Sequence, residues 1–451
     1  MPGLRELAER TPPQRERYVD LLRALAILIV VLGHWTVIVV TGGADGLDGF
    51  SALQVLPWGR PITWLVQVMP VFFMVGGFAN AASLTSHTRR GGDVTDWLLD
   101  RSARLVRPTT ALLVTLAAAA LTARLAGVDP RQVGQAVWLA SIPLWFLLVY
   151  LVVIFLTPLM HRLHRRARLV VPLVLVGLVA AGDVARLAFD APMLQLGNFL
   201  FAWLAVHQIG FAWQDGTLPV RPGVAVPLLV GGAGLAVLLT VTGPYPVSMV
   251  DYAGMPLRNL SPPTLALLAL ATAQLGLALL LRDAGDRWMQ RLGAWMAVIA
   301  VNSVILTVLL WHMSAFVLVA AAAYASGRVP LPQPPGDTGA WLLWKLPWLV
   351  GLFAVLGALV AVFGRIERRG LRRGDLTSRS RWTPRALRRP GLRATATTAG
   401  YAACVLGLLG VADAGPADHG PFGLPTAALA GFLAGAALLR GARGARDRRA
   451  G

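Results

Sequence analysis

The sequence predicts an all-α fold: a polytopic transmembrane helical bundle with a ten-span core, two further C-terminal spans and both termini in the cytoplasm. Three observations predict it. Of 451 residues, 56% are hydrophobic and only 14% charged, where a soluble domain carries about 25% charged residues. Apolar runs recur from end to end, each long enough to cross about 30 Å of hydrocarbon. The basic residues fall in the short segments between those runs, mostly on alternate sides, which is the pattern that orients a membrane protein. The net charge of +19 therefore reports orientation. Nucleic acid is not an expected partner, because no basic face gathers on a polar domain.

Taken in order, residues 1–21 form a cytoplasmic N-terminal segment. No small-x-small cleavage site follows the first apolar run, so that run is an anchor and not a cleaved signal. Twelve spans are expected, centred on 22–41, 61–84, 106–126, 143–160, 169–189, 196–213, 223–242, 262–281, 294–324, 340–364, 397–412 and 424–440. Asp183, Arg186 and Asp190 interrupt the apolar character between the fifth and sixth. With the N-terminus inside, 34 basic residues border the cytoplasm. Only six border the outside, namely Arg60, Arg124, Arg131, Arg186, Arg258 and Arg328. That imbalance sets the orientation and favours an even number of spans.

The ten-span membrane core comprises residues 22–364. Residues 365–396 form an Arg-rich cytoplasmic linker suited to lipid headgroups. Two additional transmembrane helices occupy 397–440, and a basic cytoplasmic tail, 441–451, closes the chain. The single cysteine, Cys404, lies in an apolar run, so neither a disulfide framework nor a thiolate site is available. No Cys/His metal spacing, phosphate-binding Gly loop or dinucleotide fingerprint is present, and no metal is expected.

The first span carries the strongest chemical signal, with Arg23 at its cytoplasmic mouth and His34 near its middle. Ionisable residues inside a bilayer are costly and usually functional. A separation of eleven residues returns the helix to within about 20° of the same face, about 16 Å further along. Imidazole at that depth suits general-base work; a histidine hydrogen-bonded between helices for packing is the plain alternative. Arg101, Arg104 and Arg107 precede the third span. Spacing by three predicts one shared helix side, and guanidiniums bind phosphate in bidentate fashion. With Arg23 they would form a phosphate clamp, or they are ordinary orientation signals.

The second span contains Phe72, Phe73, Gly76, Gly77 and Phe78, where paired glycines allow close helix approach. Trp145 at the start of the fourth span and His312 in the ninth are secondary candidates. His207, in the sixth span, is weaker. His161 and His164 are expected to be solvated in a basic loop.

Together these features resemble the acyltransferase-3 family of membrane-bound O-acyltransferases, in the actinobacterial form that lacks a fused extracytoplasmic esterase-like domain. Arg23 and His34 match the family's first-span pair. Phe72, Phe73, Gly77 and Phe78 match its Phe-Phe-x-x-Ser-Gly-Phe motif. Arg101/Arg104 or Arg104/Arg107 match its Arg-x-x-Arg pair. The Trp145–Leu147 and Leu310–Met313 segments match two further features. Gly76 departs from the family serine. The resemblance covers roughly residues 15–365.

It implies acyl transfer from cytoplasmic acyl-CoA to a hydroxyl of a carbohydrate or hydroxylated metabolite. His34 would be the base, an acyl-His intermediate being the alternative, and Arg23, Arg101, Arg104 and Arg107 would bind the donor. Phe72, Phe73, Gly76, Gly77 and Phe78 would pack the active site. No permanently bound cofactor is implied, and the location implied is the plasma membrane of a bacterium. A twelve-span secondary transporter is the alternative, but its long cytoplasmic loop would follow span six and not span ten. A non-catalytic relative of the acyltransferases is the other.

Overall fold

Because a bilayer offers no water to backbone groups, a spanning segment must satisfy its own N–H and C=O groups, and the long apolar runs do so as helices. The computed structural model describes residues 4–12, 15–43, 46–372, 387 and 389–445. The greater part of the Arg-rich linker, 373–386 and 388, and the tail from 446 lie outside the described residues.

The chain opens with α1 (Leu4–Glu9) and α2 (Arg17–Val37), followed by a hairpin of β1 (Ile38–Gly43) and β2 (Gly46–Ser51). There follow α3 (Gly59–Val66), α4 (Met69–Arg89), α5 (Val94–Leu125), α6 (Pro130–Ser141), α7 (Leu144–Ala167), α8 (Val170–Phe189), α9 (Pro192–Gln195), α10 (Asn198–Gln214) and α11 (Pro222–Val241). The remainder is α12 (Leu265–Leu280), α13 (Arg282–Met289), α14 (Leu292–Asn302), α15 (Ile305–Ala325), α16 (Thr338–Arg372), α17 (Pro390–Asp413) and α18 (Thr426–Gly444).

This is the expected all-α polytopic bundle. Among the described residues nine helical segments are long and apolar enough to cross a membrane, and α12 with α13, bent by 53°, makes a tenth if taken as one span. Helices α10 and α18 occupy the places of the expected sixth and twelfth spans. α10 is almost wholly buried, and packs against α4, α7, α8 and α12 as the axis of the bundle. The outermost helices expose Leu173, Val174, Val230, Leu238, Leu343 and Val350, an apolar surface that lipid covers.

Among the expected spans that have different ends, three show the cause. The first stops at Val37. The β-branched run Ile38–Thr41 leaves the helix and pairs in antiparallel register, from Ile38 opposite Ser51 to Gly43 opposite Gly46. The third begins at Val94, well before residue 106, because Asp93 caps it by accepting from the Thr95 N–H. The ninth is broken between Asn302 and Ile305. There Glu367 of α16 accepts from Leu306 N at 3.1 Å, Thr307 N at 2.8 Å and Thr307 Oγ1 at 2.6 Å. A carboxylate from another helix thus caps the start of α15 and satisfies donors that the break exposes.

The polar interruption between the fifth and sixth expected spans is a buried knot. Asp183 is 1% exposed. It accepts from Gln195, Asn198, Tyr245 and the Leu265 N–H at 2.8–2.9 Å, and so ties α8 to α9, α10 and the start of α12. His164 is the other correction. It is a buried member of α7, 2% exposed, bonded to Asp215 at 3.0 Å. It does not lie in a solvated loop, because α7 continues to Ala167.

The tightest crossing is between α4 and α10. A Cβ at Gly77 would lie 2.0 Å from the His207 carbonyl oxygen, and one at Gly210 would lie 2.1 Å from that of Met74. Gly77→Ala is therefore expected to destabilise the protein by about 1–3 kcal/mol. Gly33→Ala, where nothing lies within 4 Å, should be neutral or mildly stabilising. Thermal unfolding of the two detergent-solubilised variants checks this, and an unchanged melting temperature for Gly77→Ala would refute the close crossing.

Candidate active site

Helix α2 carries the site's two charged positions, and its neighbours fix both. At its first turn the buried Asp20 accepts from Arg15 Nε at 2.7 Å and Arg23 Nη2 at 2.5 Å. Asn302, at the α14 end, donates to the Asp20 carbonyl at 2.9 Å. Arg23 is thereby held at the end of the bundle where the arginines of α5, α17 and α18 also gather.

Three turns along α2, His34 Nδ1 lies 2.8 Å from His312 Nε2 of α15, with the rings 7° from coplanar. The other His312 nitrogen, Nδ1, lies 2.7 Å from the Leu309 carbonyl oxygen. This chain of contacts assigns the protons, because a carbonyl only accepts. His312 Nδ1 must carry the hydrogen, so His312 Nε2 accepts from His34 Nδ1. The proton-accepting lone pair is left on His34 Nε2. His312 is fully buried and His34 is partly exposed, so of the two rings only that of His34 is open to a reactant.

Three further contacts hold that geometry. Trp35 Nε1 donates to the His312 carbonyl at 3.0 Å. Lys345 Nζ donates to the carbonyls of Trp35 at 3.2 Å and Ile38 at 2.7 Å, which satisfies orphan acceptors at the α2 end. Lys345 also lies over the Trp341 ring, 4.8 Å from its centroid. Trp35 and Lys345 were not among the candidates read from the sequence. A lone lysine inside an apolar run was the available signal.

At the arginine-rich end, Arg101 is half-buried. Its guanidinium lies 5.5 Å from the Trp97 ring centroid, and Nη2 donates to the Ala79 carbonyl at 3.4 Å. Arg23 and Arg104 both fall within its electrostatic range. Arg104 and Arg107 are exposed on α5. The expected single side is therefore a turning one, because a spacing of three falls about 60° short of a full turn. Arg23, Arg101 and Arg104 converge, and Arg107 lies one turn further into the bundle.

The Phe residues of α4 join an aromatic cluster with α7 and α10. Phe73 stacks on Trp203 at 4.4 Å between centroids, and Phe72 meets Phe146 edge-on at 4.8 Å. Phe146 stacks in turn on Tyr150 at 5.5 Å. Trp145 reaches this cluster only at the Phe146 edge, at 6.4 Å, while Phe78 packs on Trp213. A Cβ at Gly76 would lie 3.0 Å from the Tyr150 hydroxyl, so the missing side chain makes room for that ring. Gly77 belongs to the α4–α10 crossing and not to the site. His207 is also interior, bonded to Asn80 Nδ2 at 3.2 Å. Among the described residues no group of three or more His, Cys, Asp or Glu side chains could hold a metal ion.

The arrangement has two poles. One is a cationic cluster at an end of the bundle; the other is an imidazole nitrogen in the last turn of α2, not at its middle, because the helix stops at Val37. They stand about 16 Å apart along α2, which contributes a residue to each. A family model described as an acyltransferase domain matches residues 16–366. Neither a curated protein nor a solved structure matches the chain.

Proposed function

The chain belongs to this acyltransferase family, and from that premise we propose that it transfers an acetyl or other short acyl group from acyl-CoA to a hydroxyl of a carbohydrate or hydroxylated metabolite. Its family and its helices make it a multi-pass membrane acyltransferase. The arginine-rich end would lie in the cytoplasm of a bacterium, as the excess of positive charge at that end favours. Coenzyme A would lay its phosphates against Arg23, Arg101 and Arg104, with Arg107 lining the path inward. Its extended arm would carry the thioester toward His34. The observation that carries the reading is the His34–His312 pair, which leaves His34 Nε2 without a hydrogen-bond partner among the described residues, on a ring that is partly exposed.

The step balances without a further reactant. The acceptor hydroxyl gives its proton to His34 Nε2 as its oxygen bonds to the acyl carbonyl carbon. The carbon–sulfur bond then breaks, and the proton on His34 passes to the departing thiolate. His34 Nδ1–H stays bonded to His312 Nε2 throughout, and that bond strengthens as the His34 ring becomes cationic. Position and proton transfer come from the protein; the activated acyl group comes from the donor.

The test is equilibrium binding of labelled coenzyme A to the purified protein in lipid nanodiscs. Loss of one charge-assisted phosphate contact in Arg104→Ala should weaken binding about 10- to 150-fold. Arg104→Lys should recover part of that loss, because ammonium lacks the bidentate fork. If Arg101→Ala, Arg104→Ala and Arg107→Ala all bind coenzyme A as the wild type does, these arginines serve orientation alone.

A further inference from the structure

The matched domain ends at residue 366, yet the structure continues into α17 and α18, and this hairpin is fastened to α5 at both ends. At the arginine-rich end Arg393 pairs with Asp96, their side chains 13% and 16% exposed. Arg443 Nη2 lies 3.1 Å from Asp100 Oδ1, and the Tyr401 hydroxyl donates to the Leu98 carbonyl at 2.8 Å. At the opposite end Arg124 Nη1 lies 2.5 Å from Asp418 Oδ1. The two helices are themselves close-packed: a Cβ at Gly407 would lie 2.6 Å from Phe432 N, and one at Gly435 would lie 2.7 Å from Cys404 N. The hairpin thus presents Arg443 from a rigid frame.

Asp100 and Arg104 are four residues apart on α5, with the acid N-terminal to the base. That is the order in which such pairs form most readily on a helix. Of the charges around Arg104 the carboxylate of Asp100 acts on it most strongly, but Asp100 lies in an ion pair with Arg443. Among the described residues Arg104 makes no ion pair, and its side chain is exposed.

We propose that the C-terminal hairpin keeps Arg104 available to the phosphates of the donor by holding Asp100, its natural partner on the same helix, in an ion pair with Arg443. The inference rests on the reading of Arg104 as a donor contact. Arg443 is then a positioning residue that touches no substrate. Its role is to remove a competing carboxylate, which a packing role alone would not require.

Coenzyme A binding to the full chain in nanodiscs separates these readings through a cycle of Arg104→Ala, Arg443→Gln and the double variant. Arg443→Gln should weaken binding about two- to sixfold, the factor by which an exposed pair of ordinary strength would occupy Arg104. In the Arg104→Ala background the same change should have no further effect. Equal losses in both backgrounds would mean that Arg443 acts only through its charge, and would overturn the inference. Unchanged binding in Arg443→Gln would overturn it too, while leaving the donor site intact. Unchanged binding in Arg104→Ala would remove Arg104 from the donor contacts and the inference with it, whatever Arg101 and Arg107 do. Should Arg443→Gln prove too unstable to purify, Arg443→Gln/Asp100→Asn takes its place. It lacks the competing carboxylate and should bind coenzyme A within about twofold of the wild type; a larger loss counts against the inference.

Discussion

Replacing His34 by glutamine is expected to lower acyl transfer about 10²–10⁴-fold while leaving the protein folded, inserted and able to bind coenzyme A. Glutamine has nearly the reach of histidine, and its amide can still donate to His312 Nε2. What it lacks is the second function, a lone pair that can take the proton of the acceptor hydroxyl. The pair contact at 2.8 Å is thus preserved while the free nitrogen is lost. A packing histidine makes the opposite demand, and its loss would cost only about 1 kcal/mol of stability. Labelled acyl-CoA supplied to membranes containing cell-envelope acceptors, at matched protein levels, provides the measurement. Wild-type turnover in a well-folded His34→Gln protein would remove His34 as the base.

The second large effect is expected at His312. Its Nδ1–H is committed to the Leu309 carbonyl, which makes Nε2 the acceptor that holds the proton of His34 on Nδ1. His312→Leu deletes that acceptor, so the His34 ring loses its fixed orientation and the partner that stabilises its protonated form. Turnover should fall about 10- to 100-fold, the range for groups that orient a reacting residue. His312→Gln should retain more activity, because its Oε1 can accept from His34 Nδ1–H. Equal activity in the two variants would show that His312 fills space and directs no proton.

The bundle was legible because its cause is local: a run of apolar residues is visible wherever it occurs, and charge alternation orders the runs. The end of α2 was misplaced for a local reason too. Ile38, Val39 and Val40 continue the apolar run, and hydropathy does not distinguish a helix from a strand. Their branching at Cβ and the glycines that follow were the overlooked signals. The break before Ile305 was hidden because its cause lies on another helix, at Glu367. The site divides in the same way. Arg23 and His34 share a face by simple periodicity, and their common helix could be read directly. Their partners could not. His312 stood out only as a polar residue in an apolar run, and its contact with His34 joins positions 278 residues apart. The pairing of Asp100 with Arg443 is longer still, and on the sequence alone Asp100 belongs to Arg104.

Lys345 gives the molecule a built-in reporter. It is the only lysine in 451 residues, so an amine-directed acylating reagent meets one side-chain target besides the α-amino group. That target is engaged with the carbonyls of Trp35 and Ile38, immediately beyond His34. Any movement that draws α16 away from the end of α2 would release the amine and quicken its modification. A single mass-spectrometric peak would then follow the opening of the region around His34, in the native chain and without an introduced label.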